Sequence, residues 1–365
     1  MSRPSPLAAQ LAALGARMTE VCGVEVPEAF GDPAEEHRKV RAAGGIFDFS
    51  HRGLIQVSGP DRIPWFRGQC TNEVADLKPG QGNRTCIVTR LGKLVTDAVL
   101  SVAEQDLWLE LNADRVPAAL EHLEKYHIIE KVELADRTRD FGILGIHGPA
   151  AMRLLAMIGG QDVPDAPDYH FAEKHVVGMP VRVQRREVTG EVGFTVFLPA
   201  MAVGPALGML TQFGQSLGVA PAGWAALQSL RIEAGEPFFG QDATEQYMPL
   251  ETGLDATVSY TKGCYLGQEV IARVSTLGEA SRALVGLSVS GDRVPRRDDP
   301  VVKDGQEAGK VTSAVRSPTL GRVIALAIVR KDFKAPGTAL GVRPAGGGEA
   351  APAEVVTLPF YRRGA

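Results

Sequence analysis

Short runs of apolar residues, most of them bounded by Gly or Pro, dominate the chain. Residues 93–102 form one such run, in which apolar positions surround a single acid, Asp97. Residues 142–146 form a second run without a polar side chain. Runs of this length between turn residues predict β-strands, and the alternating segments 180–185 and 193–198 predict a hairpin.

Helical spacing of apolar residues occurs in three places. Leu7, Leu11, Leu14 and Met18 recur every three or four positions, which predicts an amphipathic helix near the N-terminus. The same spacing predicts helices over residues 116–126 and 224–234.

The character of the sequence changes in about the last 85 residues. This part consists of short segments rich in β-branched residues, separated by Gly and Pro turns at roughly even spacing. That pattern predicts a small barrel or sandwich. The predicted strands are 284–289, 309–315, 323–329, 338–342 and 355–358.

Composition narrows the class of protein. The 365 residues are 44% hydrophobic and 22% charged, and 39 basic against 43 acidic residues give a net charge of −4. This balance is typical of a globular protein and argues against broad nucleic-acid binding, which usually needs a basic surplus. No apolar run approaches the ~18 residues of a membrane span, and the start is not typical of a signal peptide. We therefore expect a cytoplasmic protein of two or three packed units.

The familiar short motifs are missing. No GxSxG, P-loop or GxGxxG segment occurs, which weakens hydrolase, NTPase and Rossmann interpretations. The histidines lack the spacing of a zinc site, and the cysteines form no CxxC pair, so we predict no metal site built by this chain. The cysteines are Cys22, Cys70, Cys86 and Cys264.

The densest cluster of reactive residue types surrounds Cys264. Gly263 and Gly267 remove side chains from its neighbourhood, Lys262 lies two residues away, and a helix is predicted just after it. A thiol at a helix N-terminus beside a lysine is in a setting that favours the thiolate. The alternative is a small buried thiol in a turn, which is the commoner environment of a lone cysteine.

Three further charged residues are candidates. Burying the Asp97 carboxylate costs several kcal/mol without a partner, so it indicates a cavity or an ion pair, unless it lies on a wet face. Glu191, in a turn flanked by glycine, suits two parallel N–H donors of a heterocycle or simply water. Arg231 lies among apolar helix neighbours, where a salt bridge to Glu233 or Glu236 is the alternative.

Five stretches carry a recognisable pattern in a fixed order: Gly45–His51 with Val57–Pro60, Gly145–Pro149, Thr189–Phe194, Leu230–Gly235 with Phe239–Asp242, and Gly309–Ser313 with Ser317–Leu320 and Leu358–Tyr361. The set resembles the folate-binding glycine-cleavage T-protein (aminomethyltransferase) superfamily. Within it, the segment Lys262–Glu269, KGCYLGQE, is similar to the signature of the YgfZ branch. Aminomethyltransferases usually carry a non-cysteine sequence there.

The resemblance implies an α+β fold shaped as a three-part cloverleaf. Two interleaved α+β units, in residues 1–278, would enclose a tetrahydrofolate channel, and a β-barrel over residues 279–365 would close it. Glu191 matches the pterin-binding carboxylate of the family and Arg231 a folate-site arginine. Tyr265 is a third predicted folate contact.

For function, the resemblance first implies a YgfZ-type protein that binds tetrahydrofolate or a one-carbon derivative. It would maintain the iron–sulfur clusters of other proteins and have iron–sulfur proteins or assembly factors as partners. Cys264, its charge held by Lys262, would then be catalytic with Asp97. The alternative is a tetrahydrofolate-dependent aminomethyl or methyl transferase, in which Asp97 keeps one acid of the family's Asp-Asp pair. A scaffold without a ligand is the third interpretation.

Overall fold

The computed structural model describes residues 2–159, 167–176, 179–276, 278 and 280–364. None of the helices in these ranges is long and apolar enough to cross a bilayer. The helices are α1 Ala8–Ala13, α2 Pro33–Ala42, α3 Arg62–Arg67, α4 Val116–Lys125, α5 Ala151–Met157, α6 Val203–Gln215, α7 Trp224–Glu233 and α8 Gln268–Thr276. The strands are β1 Arg3–Pro4, β2 Arg17–Val21, β3 Val24–Ala29, β4 Gly45–Asp48, β5 Arg52–Ser58, β6 Gln81–Val88, β7 Leu94–Val102, β8 Leu107–Asn112, β9 Glu133–Asp136, β10 Phe141–His147, β11 Phe171–Val176, β12 Met179–Arg185, β13 Gly193–Pro199, β14 Ala220–Pro221, β15 Arg282–Val289, β16 Pro300–Lys303, β17 Gln306–Arg316, β18 Val323–Arg330, β19 Ala339–Val342 and β20 Ala351–Val356.

A five-stranded antiparallel sheet, in the order β6-β7-β8-β5-β9, forms the first unit. One face packs its apolar side chains against α3 and α4 in a buried core that includes Ile87, Leu100 and Leu109. Because side chains alternate along a strand, the opposite face is presented to the second unit. That face carries charged and amide side chains, and we call it the polar face: Arg52, Arg84, Asp97, Glu110 and Asn112.

A six-stranded sheet, in the order β11-β12-β13-β10-β4-β14, forms the second unit. The predicted hairpin is confirmed by the antiparallel pairing of β12 with β13, and the apolar run 142–146 lies in β10. Helices α5 and α6 contribute to the core of this unit. The chain places β4 in this sheet, crosses to the first unit for β5 to β9, and returns at β10, so the two units are interleaved.

A closed six-stranded barrel, β15-β18-β17-β16-β19-β20, forms the third unit. Its interior is apolar, with Leu287, Val311 and Val329 almost fully buried. The barrel meets α7 through Ile232, which packs with two residues of β18. The predicted α+β cloverleaf with a C-terminal barrel is thus confirmed. The predicted boundary at 278/279 stays a prediction, because residue 279 lies outside the described part of the chain.

The N-terminal helix is shorter than its apolar spacing predicts. Helix α1 ends at Ala13, and Gly15 adopts a φ of +76°, a left-handed conformation that glycine tolerates best. The chain then enters β2, where Met18 is a strand residue. Three of the four apolar positions therefore belong to the helix and its end, and the fourth to a sheet edge.

Candidate functional site

A cavity lies where the polar face of the first sheet meets α7 and the loop after it. We call it the junction cavity. Its wall combines charged side chains with aromatic ones, an arrangement typical of sites for polar ring compounds. The charged residues are Arg52, Arg84, Asp97, Glu110, Arg186, Arg231 and Glu236, and the aromatic ones are Phe49, His51, Trp224, Phe238 and Phe239.

A second cavity of about 390 Å³ lies between the two sheets, and we call it the sheet cavity. Trp108, Phe141 and Phe197 give it a largely apolar wall, and Arg182 lines its rim. Glu110 lines both cavities. The two cavities are therefore neighbours that meet at one buried carboxylate.

Asp97 lies in the junction cavity, as its place in an apolar strand predicted. Arg84 donates from Nε and Nη2 to Oδ2 of Asp97 at 3.0 and 2.8 Å, and from Nη1 to Glu236 at 2.6 Å. Burial disfavours the charge of Asp97, but Arg84 and Arg52 outweigh it and hold its pKa below the usual value. Within the described ranges no group donates a hydrogen bond to Oδ1. Asp97 is thus an ionised carboxylate with one unengaged oxygen.

Glu110 is a site residue that the sequence reasoning missed. Its Oε1 accepts from Nε of Arg52 at 2.7 Å and from Nη1 of Arg186 at 2.8 Å. Its Oε2 is buried and has no hydrogen-bond partner. Burial opposes ionisation, yet Arg186 and Arg52 hold the pKa of Glu110 below its usual value. The signal was available, since this acid also lies in an apolar strand, LWLELN.

The aromatic side chains of the junction cavity contact one another. The His51 ring lies 5.0 Å from Trp224, and Trp224 lies 5.2 Å from Phe238, both edge-on. Burial lowers the pKa of His51 well below its usual value, so the imidazole is neutral at physiological pH. This wall therefore offers flat, uncharged surface beside the charged polar face.

Glu191, the predicted pterin carboxylate, lies outside both cavities. Its Oε1 accepts from Nη1 of Arg41 at 3.1 Å and from the hydroxyl of Tyr361 at 2.6 Å. Arg41 also donates to Glu233 at 2.6 Å and stacks on the ring of Tyr361. Glu191 is 1% exposed. The structure therefore places this acid in a buried contact between the second unit and the C-terminal segment.

Arg231 lines the junction cavity, but its guanidinium is heavily engaged. It forms an ion pair with Asp242 and donates to Gln228, Gln241 and the Ser313 hydroxyl of the barrel. These bonds join α7, the following loop and β17. The geometry is that of a junction anchor, and the folate contact of Arg231 stays a prediction.

Lys262 does not face Cys264 as a counter-ion. Its Nζ donates at 2.7 Å to each of three backbone carbonyls in the first unit, those of Arg67, Cys70 and Asn72. Cys264 is exposed in the loop before α8. The expected charge pairing is replaced because the buried ammonium needs several acceptors, which the carbonyls supply.

Tyr265 is a core residue of the first unit rather than a cavity wall. It is 8% exposed and packs with Cys86, Val88 and Leu94. Burial raises the pKa of its hydroxyl to about 12. Its predicted folate contact stays a prediction, but neither cavity includes it.

Thiol labelling tests this placement of the cysteines. We expect a thiol reagent at neutral pH to modify Cys264 rapidly. Cys70 and Cys86 are buried, and burial raises the pKa of these two thiols and of the half-buried Cys22. In Cys264→Ser the fast phase should disappear, as measured by absorbance of the released reporter. A fast phase that survives in Cys264→Ser would contradict the assignment.

The chain is a three-part protein, in which two interleaved sheets and a closed barrel surround a charged junction cavity. Residues 7–262 match the family model described as the GCVT N-terminal domain. Residues 282–362 match the one described as the glycine cleavage T-protein C-terminal barrel domain. The chain belongs to the glycine-cleavage T-protein family.

Relatives of this chain share its full length. It is 35% identical to an aminomethyltransferase of Streptomyces avermitilis, covering 96% of this chain and 95% of the relative. It is also 35% identical to one of Rubrobacter xylanophilus, covering 99% and 95%. The crystal structure of glycine cleavage system aminomethyltransferase T from Bartonella henselae matches with a TM-score of 0.91 at 26% identity, over 100% of this chain and 99% of that one.

These relatives overturn the iron–sulfur interpretation. The KGCYLGQE segment predicted a YgfZ-type protein, but relatives over nearly the whole chain are named aminomethyltransferase. The prediction of iron–sulfur maintenance as the main function is therefore wrong.

Proposed function

We propose that this protein is a tetrahydrofolate-dependent aminomethyltransferase. The observation that carries the proposal is Asp97, an ionised carboxylate in the junction cavity whose Oδ1 accepts no hydrogen bond from the described residues. The names of its full-length relatives support the same activity. Electrostatic stabilisation of a developing charge is the role that such a group performs best.

The side chains that line the two cavities offer groups complementary to those of a folate. A folate combines a flat ring with N–H donors, an aromatic linker and an anionic tail. The junction cavity supplies aromatic wall beside Trp224 and a buried acceptor at Glu110, and the sheet cavity extends the space along Trp108. Tetrahydrofolate would supply the amine nitrogens that receive the one-carbon unit.

In the proposed reaction, side chains of this protein stabilise the developing charge and hold one another in place. Asp97 would stabilise the positive charge that develops on the carbon and nitrogen of the aminomethyl donor as its bond to the carrier breaks. Arg84 is bound to Oδ2, which keeps Asp97 ionised and leaves Oδ1 outside this ion pair. Glu236 holds the other side of the same guanidinium through its bond to Nη1 of Arg84.

Two measurements on the wild-type protein test this function. Calorimetric titration with tetrahydrofolate should show saturable binding. With an aminomethyl-loaded lipoyl carrier as donor, the reaction should release ammonia and form methylenetetrahydrofolate in equal amounts. Both products should form only when the protein is added. Binding without transfer from this carrier would leave an N- or O-methyl donor as the substrate class to assay. A protein that binds no folate would be a scaffold, contrary to the proposal.

A further inference from the structure

We propose that Glu110 is the carboxylate that binds the N–H edge of the pterin ring, with Oε2 as the acceptor. This inference rests on the proposed function, since it names the residue that recognises the folate. It assigns the recognition to the polar face of the first sheet instead of the turn that contains Glu191.

The first argument is the unpaired oxygen. Among the described residues, Oε2 of Glu110 is a fully buried carboxylate oxygen without a hydrogen-bond partner. Glu110 is 2% exposed, so its carboxylate lies away from the solvent at the protein surface. Leaving a buried charged acceptor unpaired costs more than leaving a neutral one, which makes such a group a candidate for a ligand contact.

The second argument is the fixed orientation of the carboxylate. Arg52 and Arg186 both donate to Oε1, and Arg52 also donates from Nη2 to the backbone carbonyl of Glu110 at 3.2 Å. Both guanidinium groups hold Oε1, so the carboxyl group cannot rotate into an orientation in which each oxygen binds one arginine. Oε2 is therefore presented as an acceptor that these two arginines do not use.

The third argument is location. Glu110 lies where the junction cavity and the sheet cavity meet, with the aromatic rings of Trp224 on one side and Trp108 on the other. A ligand that occupies both cavities must pass this carboxylate. An N–H donor on a flat ring satisfies the acceptor without adding a cation to a site that already holds four arginines.

The chemistry of the ligand follows from the acceptor. A carboxylate oxygen of this kind selects a donor and rejects a carbonyl edge. The pyrimidine edge of a pterin carries an exocyclic amine and a ring N–H, whereas the aminobenzoyl-glutamate part ends in carboxylates. Glu110 therefore recognises the ring end of the folate and repels its tail.

The variant Glu110→Gln tests the proposal, because it changes the size and shape of the side chain very little. The two arginines retain the amide oxygen at the position of Oε1, which puts the NH₂ group where Oε2 was. A donor then faces the donors of the ring, and we expect tetrahydrofolate affinity in calorimetry to fall at least about tenfold. The affinity for 6-hydroxymethylpterin should fall similarly, and that for p-aminobenzoylglutamate should not fall.

The matched control is Glu191→Gln. Glu191 is also a buried glutamate held by an arginine, but it lies outside both cavities. The tetrahydrofolate affinity of Glu191→Gln should stay within about twofold of that of the wild type, because the lost charge is remote from the ligand. A loss in Glu191→Gln without a loss in Glu110→Gln would overturn the assignment in favour of the turn.

A second variant covers the case in which Glu110→Gln does not fold. Glu110→Asp keeps the negative charge that Arg52 and Arg186 require but shortens the side chain by one methylene. It should lose affinity as well, and wild-type affinity in a folded variant of either kind overturns the role of Glu110. If the wild-type protein itself binds no folate, the proposed function fails first, and the role of Glu110 fails with it.

Discussion

Replacing Asp97 by Asn should lower the rate of aminomethyl transfer by about 10²–10³-fold, the usual effect of removing one preorganised charge-stabilising group. Asn keeps the size and the acceptor oxygen but removes the negative charge. Tetrahydrofolate affinity should stay within about threefold, because the charge acts on the developing cation and not on the bound folate. Transfer is measured as methylenetetrahydrofolate formed under single-turnover conditions.

The variant should remain folded. Arg84 loses one anionic partner but keeps Glu236, whose carboxylate lies 2.6 Å from Nη1. The guanidinium is therefore not left as an uncompensated buried charge, which is the case that destabilises most. Circular dichroism and a thermal melt check this point. Asp298→Asn, an exposed acid bonded to Lys310, serves as the control and should transfer at the wild-type rate.

The pH profile provides an independent readout. The pKa of Asp97 lies below its usual value, so the group is ionised through the whole neutral range. In the wild type, protonation of Asp97 should therefore reduce the transfer rate only in acid solution, below about pH 4. Near neutral pH, the rate of Asp97→Asn should depend on pH in the same way as that of the wild type. Turnover at the wild-type rate in Asp97→Asn would remove Asp97 from the mechanism.

The sequence predicted local structure better than the partners of its charged groups. The apolar run around Asp97 became β7, and the even turn spacing after residue 280 became the barrel. An acid within an apolar strand was the right signal for a cavity, and the same signal at Glu110 went unused. Both acids lie on the polar face because side chains alternate along neighbouring strands.

The differences between the sequence predictions and the structure concern contacts between distant parts of the chain. Glu191 is held by Arg41, 150 residues earlier, and by Tyr361, 170 residues later. Lys262 binds carbonyls of residues 67 to 72, which lie at least 190 residues earlier. Short-range spacing placed Lys262 beside Cys264 and Glu191 beside a ligand, but the fold offered each a closer partner. One sequence gives no view of such pairs.

Arg231 gives the largest expected effect on stability. Arg231→Met should lower the free energy of unfolding by about 3–5 kcal/mol, since it leaves the Asp242 carboxylate as a buried, uncompensated charge. Asp242 is fully buried, and among the described residues its remaining donors are the Thr312 hydroxyl and the amide of Phe238. Urea unfolding measures the change. Arg316→Met, which breaks an exposed pair with Asp292, should cost about 0–1 kcal/mol.

Adding Asp242→Asn to Arg231→Met separates the charge from the packing. The amide oxygen can accept from the N–H of Phe238, and the NH₂ group can donate to the Thr312 hydroxyl, which then donates to the Leu326 carbonyl. The unpaired charge is removed, so the double variant should recover a large part of the lost stability. Recovery would assign Arg231 to the anchor between α7 and the barrel, through its bond to Ser313. If Arg231→Met instead unfolds like wild type but loses folate affinity, Arg231 is the folate-site arginine that the family resemblance implied, and the anchor interpretation is wrong.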